Sequence, residues 1–194
     1  MFLRGRPAQV TVAAGSHVTH GQAVSSCIAN PLKEPTMHGK INVFAAAPAL
    51  MRDFRRASTE LAEAANFDPK LTELVKLRAS HLNGCANCIN LHSTEARAAG
   101  ETEQRIYLLS AWREAPCYTD RERAALEWTE ALTRLSEGLA LGSAYETLAA
   151  HFTEEERVKL TITINMINGW NRLAVGFGLF ADPKEIRSGG KAAA

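Results

Sequence analysis

E-L-V-K-L-R-A-S-H-L-N-G-C-A-N-C-I-N-L-H, residues 73 to 92, decides the fold. Its first half keeps Leu74, Val75 and Leu77 at helical spacing. Asn83-Gly84 then ends the helix, because both residues tolerate the left-handed terminal conformation. A second helical pattern starts at or beside Cys85 and runs to about Ala99, where Gly100 stops it. Helix, tight break and helix make a hairpin. That hairpin carries a carboxylate (Glu73), two thiols in C-x-x-C spacing (Cys85 and Cys88) and an imidazole (His92).

Helical patterning continues on both sides. Upstream, Pro48 suits a first turn, and Leu50, Met51, Phe54, Ala57, Leu61 and Ala64 keep helical spacing to about Ala65. Asp68-Pro69 reads as the N-cap and first residue of the helix that carries Glu73. Downstream, a short helix is expected from about Thr102 to Trp112, and Ala115-Pro116 breaks the chain. Thr119-Asp120-Arg121-Glu122 and Thr153-Glu154-Glu155-Glu156 are capping boxes. Between the helices they open lies a short one, about Ser143 to His151. No run alternates long enough for a strand, so the fold class is all-α.

Residues 1–36 differ from the rest. Glycines and prolines punctuate them, and Val10, Val12, Val18 and Val24 keep no period. They are expected to be either a flexible tail or an extension upstream of a start at Met37. One helical domain is expected over 37–183, with a flexible tail over 184–194. The chain has 194 residues, 46% of them apolar and 22% charged, enough to bury one core. A net charge of +1 gives no electrostatic case for nucleic acid or an anionic membrane. No apolar run approaches a membrane span of about 18 residues. Four cysteines are too few for a disulfide scaffold, and no convincing signal peptide is present. A cytoplasmic location is expected, where a C-x-x-C pair is redox-active or metal-binding more often than a static staple.

The chemistry of the hairpin follows from residue types and spacing. Cys85 and Cys88 are three apart and share a helix face. At a helix N-terminus the unsatisfied amides favour a thiolate, the nucleophilic form in peroxide reduction and disulfide exchange. With two thiols on one turn, one can be oxidised and the other can resolve it as a disulfide. His92 lies on the same face, and its neutral-range pKa suits taking or holding a thiol proton. Glu73 lies 12 residues before Cys85, and the Asn-Gly turn folds its helix back alongside the second one. C-x-x-C with a histidine beyond it is also half of a zinc site, but no second matching ligand pair is present.

The spacing E-L-V-K-L-R-A-S-x-x-N-G-C-x-x-C-x-x-x-H, followed by A-R-x-A-G-E, resembles the core motif of the alkylhydroperoxidase D-like (AhpD-like) family. That family belongs to the carboxymuconolactone decarboxylase superfamily. The resemblance continues through A-W-R-E-A-P (111–116), T-D-R-E-R-A-A-L-E-W-T-E-A-L-T (119–133) and N-G-W-N-R-L (168–173). It implies an all-helical fold assembled as a homo-oligomer, commonly a trimer or hexamer. It implies thiol-dependent peroxidase activity on hydroperoxides, with a thiol or protein disulfide reductant and no cofactor or metal. In the family's scheme Cys88 attacks the peroxide, Cys85 resolves the sulfenic acid as a Cys85–Cys88 disulfide, and Glu73 and His92 form a proton relay acting through water.

Some positions depart from the family pattern. His81 stands where many relatives carry glutamine. Asn87 stands between the cysteines, where relatives carry tyrosine, or histidine in the founding enzymes. Asn90 replaces a common aspartate, and Cys117 reads as a small buried hydrophobe. The alternatives are a non-catalytic thiol sensor, an oligomeric scaffold, or a lactone enzyme as in the superfamily's other branch. That last branch does not use the cysteine pair. Asn168-Gly169-Trp170-Asn171 sits in a helix that such residues disfavour. Helix–helix packing with the amides bonded across the interface is the expected compensation, and a wall of the thiol pocket is the second reading. Trp112, Trp128 and Trp170 are expected in the core or at subunit contacts.

Overall fold

A computed structural model describes residues 41–138 and 141–179. The segment 1–36, Cys27 within it and the tail 184–194 lie outside the described residues. All regular structure among the described residues is helical. The α-helices are α1 (Val43–Ala46), α2 (Pro48–Ala65), α3 (Pro69–Leu82), α4 (Ala86–Ala98), α5 (Glu103–Leu108), α6 (Asp120–Thr133), α7 (Leu141–His151) and α8 (Glu154–Phe177). Two 3₁₀ turns, Leu109–Ala111 and Leu135–Glu137, complete the elements.

Local chemistry sets most of the boundaries. Asp68 caps α3 through the Leu71 amide at 3.1 Å, with Pro69 in the first turn. Thr119 and Thr153 each form the full reciprocal capping box, with Glu122 and Glu156. At the hairpin, Asn83 stays right-handed and Gly84 alone takes the left-handed conformation, with φ of 65°. Asn66, at φ 47°, does the same at the end of α2, and the sequence pattern gave no warning of it.

Helix α3 is the centre of the molecule. Leu74, Val75, Leu77 and Ala79 are fully buried, and they point to different layers. Leu74 and Leu77 pack with Ala96, Ile106, Leu109, Trp112 and Leu126. Leu71 and Val75 pack with Ala124, Ala125, Leu148, Phe152, Leu160 and Ile164. Ala79 joins Cys85, Cys88, Ile167 and Ala174 in a third layer. A helix buried on nearly every side has no wide polar face, so its acid is enclosed by default.

Helix α2 behaves differently from its sequence pattern. Of its six evenly spaced apolar positions only Met51 is buried, while Leu50 is 70% exposed. The stripe is real, but α8 covers only one edge of it. The three tryptophans are anchored within the chain. Their indole N–H groups donate to Glu130 (from Trp112, 2.7 Å), Thr161 (from Trp128, 3.0 Å) and Ser58 (from Trp170, 3.0 Å). Arg123 braces the loop after α5. Its guanidinium donates to the carbonyls of Trp112, Arg113, Ala115 and Tyr118. Cys117 is half-buried and packs against the first core layer.

Candidate active site

The hairpin places its four reactive residues as its geometry requires. Cys85 is the N-cap of α4, and Cys88 lies in the first turn. Their Cα atoms are 5.3 Å apart, and the two sulfurs are joined as a disulfide. The Cys88 amide donates to the Cys85 sulfur at 3.3 Å, so Cys85 serves as the cap that serine or aspartate usually provides. Both cysteines are enclosed, 1% and 4% exposed, against Ile167 and Ala174 of α8. Helix α8 therefore walls the thiol layer.

Farther along the hairpin, the Nδ1 atom of His92 lies 2.8 Å from Glu73 Oε2. The same nitrogen lies 2.9 Å from Glu95 Oε2, one turn on in α4. The other Glu73 oxygen accepts from the Lys76 ammonium at 2.8 Å. The side chains of Glu73 and His92 are each 9% exposed, whereas that of Glu95 is 44% exposed.

Electrostatics follow from these contacts. Burial pushes the Glu73 carboxyl up, but its bond to His92, the His92 charge and the Lys76 ammonium outweigh burial and hold it below the ordinary carboxylate range. Burial pushes His92 down, and the bonds to Glu73 and Glu95 with the Glu73 charge outweigh it, so its pKa is raised. The two groups are poised as an ion pair. The ligand-type atoms of Glu73, His92 and Glu95 lie within 4.8 Å of one another. The Lys76 cation already sits against this group, and the spacings are those of hydrogen bonds. These contacts make it a cluster that can share protons.

A polar knot ties the hinge to α8. Asn83 Nδ2 donates to the side-chain oxygens of Asn168 and Asn171, each at 2.9 Å. Asn171 Nδ2 donates to Ser80 Oγ at 3.1 Å, and Asn168 Nδ2 to Thr133 Oγ1 at 3.0 Å. These bonds satisfy amides that an apolar helix otherwise leaves stranded. Gly169 lets α2 approach: a Cβ there meets Phe54 Cζ at 3.2 Å. Both expectations for this segment hold, since the amides bond across the interface and the helix walls the thiols.

All four residues singled out in the sequence sit on this hairpin, and Glu73 and His92 touch. Lys76 and Glu95 were missed, although each stands three residues from its partner on the same helix. Asn83 was read as a helix stop, and its bonds to Asn168 and Asn171 span 85 and 88 residues. His81 has a buried Nδ1 with no hydrogen-bond partner, and burial, then Arg78, pushes its pKa down.

Known proteins are similar to this chain in sequence and fold. Residues 48–131 match the model of the carboxymuconolactone decarboxylase family. An uncharacterized Bacillus subtilis protein, YdfG, is 45% identical over 106 residues, which cover 55% of this chain and 72% of that protein. A crystal structure of an Agrobacterium tumefaciens protein of unknown function, provisionally described as the antioxidant defence protein AhpD, superposes with a TM-score of 0.71. It is 42% identical, over 75% of this chain and 99% of that one. An uncharacterized peroxidase-related protein with an alkylhydroperoxidase AhpD core, from Ralstonia eutropha, gives a TM-score of 0.60 at 19% identity. That match covers 73% of this chain and 75% of its own, and at that identity it speaks for the fold alone. With the thiol hairpin, the helical fold and these relatives in agreement, the chain belongs to the carboxymuconolactone decarboxylase family as an AhpD-like member.

Proposed function

We propose that this protein is a thiol-dependent peroxidase that reduces hydroperoxides through Cys85 and Cys88. The observation that carries the reading is a one-turn disulfide at the start of α4 on the same hairpin as an enclosed Glu73–His92 pair that joins α3 to α4. A static staple needs no buried proton acceptor one turn away, whereas thiol chemistry needs a place for the proton.

The cycle runs as follows. Cys88 gives its proton to the Glu73–His92 pair through water and becomes a thiolate. The thiolate attacks the distal peroxide oxygen; the O–O bond breaks, Cys88 becomes a sulfenic acid, and the alkoxide takes a proton to leave as an alcohol. The Cys85 thiol then attacks the Cys88 sulfur. A disulfide forms and water leaves. An external dithiol, small or carried by a protein, returns two electrons by disulfide exchange. Its thiolate attacks Cys88 and expels Cys85, because the Cys88 amide and the start of α4 stabilise charge on the Cys85 sulfur. A reducing, cytoplasmic setting fits this requirement. The exposed apolar stripe of α2 supports a homo-oligomer that covers it.

A stopped-flow assay tests the reading. Wild type and Cys88→Ser are mixed with hydrogen peroxide or an organic hydroperoxide in the presence of several thiol reductants. Wild type is expected to turn over repeatedly and to lose two titratable thiols when reductant is absent. Equal peroxide consumption by Cys88→Ser removes the role given to Cys88. A single oxidation with no turnover under any reductant favours a thiol sensor.

A further inference from the structure

His92 shows one nitrogen to two carboxylates. Nδ1 is within hydrogen-bond distance of both Glu73 and Glu95, and an imidazole nitrogen carries at most one proton. That proton sits on Nδ1, since an unprotonated Nδ1 facing two carboxylates has nothing to bond them with. The titrating nitrogen is therefore Nε2, which makes no hydrogen bond among the described residues.

The two acceptors are not equivalent. Glu73 is enclosed on α3, and its second oxygen is held by Lys76. Glu95 comes from α4 itself, makes no ion pair with a cation other than His92 among the described residues, and is half in water. We propose that Glu95 is a positioning residue for the thiol site: acting through His92 Nδ1, it is the second, solvent-side carboxylate that orients the ring and balances its charge while Nε2 holds the thiol proton.

The proton count closes, on the peroxidase reading above. Starting from the neutral ring, Nε2 accepts the Cys88 proton, and the imidazolium that forms keeps its Nδ1 proton between the two carboxylates. When the alkoxide forms, Nε2 returns that proton, and the imidazole ends as it began. Among the described residues, the charged groups that act on His92 are Glu73 and Lys76 from α3 and Glu95 from α4. Helix α8 brings amides to the hairpin, with Arg172 bonded to Asn168.

The test compares full-length wild type, Glu95→Gln and Glu95→Asp by three readings: His92 titration by imidazole NMR, the rate of thiol oxidation by hydrogen peroxide, and the rate of thiol alkylation by iodoacetamide. In Glu95→Gln the His92 pKa is expected to fall by about half a unit or more. Its oxidation and alkylation rates at neutral pH are expected to drop roughly three- to tenfold. Added acetate should restore the oxidation rate of Glu95→Gln and leave wild type unchanged. Glu95→Asp should retain most of the rate, and the melting temperatures of all three proteins should agree. An unchanged His92 titration in Glu95→Gln overturns the assignment. So does a rate loss that follows a drop in melting temperature and resists acetate. If wild type itself is inert to peroxide, the peroxidase reading fails, and the titration and alkylation readings still decide Glu95.

Discussion

Glu73 and His92 are 19 residues apart in the chain and 2.8 Å apart across the hairpin. The pair makes stability depend on pH in two directions. Glu73 is held below its ordinary value of 4.5, so its contribution is present above that value and is lost as pH falls through the lowered one. His92 is held above 6.5, so its contribution is complete below 6.5 and is lost as pH rises through the raised value. Stability from the pair is therefore greatest between pH 4.5 and 6.5. Thermal melts across pH should show His92→Phe flattening the alkaline limb and Glu73→Gln the acid one. Parallel curves for wild type and both variants would show that the contact contributes nothing to folding.

The asymmetry between the two sulfurs predicts which one a reductant meets. Mixing Cys85→Ser with a reductant protein whose own resolving cysteine is removed, under mild oxidation, should accumulate a mixed disulfide on Cys88. The same experiment with Cys88→Ser should give little adduct. Mass spectrometry of the trapped complexes reads the difference, and an adduct mainly on Cys85 reverses the order of attack.

The Asn83 knot predicts a stability cost without a catalytic partner of its own. Asn171 is fully buried and bonds Asn83 and Ser80. Asn171→Ala breaks both bonds and empties a buried position, while Asn83 keeps Asn168 and Ser80 keeps the Lys76 carbonyl; it is expected to cost about 1–3 kcal/mol in chemical denaturation. Asn83→Ala should cost a similar amount, and the double variant should lose less than the sum, because both changes break one bond.

Gly169 predicts a reversal of the usual rule for helical glycines. Alanine at an exposed helical glycine stabilises by about 1 kcal/mol. Here the added methyl sits 3.2 Å from the Phe54 ring, which itself packs on Trp170 with ring centroids 4.7 Å apart. Gly169→Ala is expected to destabilise by about 1 kcal/mol, because overpacking exceeds the gain in propensity. In a Phe54→Leu background the same change should stabilise. Stabilisation in both backgrounds means that the ring yields without cost.

Chain-local rules carried the secondary structure. Proline at first turns, Asp68 as a cap, two capping boxes and Gly84 all act within four residues, so α2, α3, α4, α6 and α8 were readable from spacing. Spacing also placed Cys85, Cys88 and His92 on one helix face, because a helix has one period. Two matters escaped it. An apolar stripe looks the same whether the chain buries it or leaves it exposed, and only packing showed Leu50 outside. The partners of Asn83 and the enclosure of Glu73 depend on how α8 and α4 lie against α3, which no local period encodes. The sequence by itself determined a helical hairpin with two thiols, an acid and a base. Tertiary structure decided that the acid is buried against the base, that α8 seals the thiols, and that Glu95 stands on the water side. The physical reason is that burial and hydrogen-bond distance are properties of packed elements.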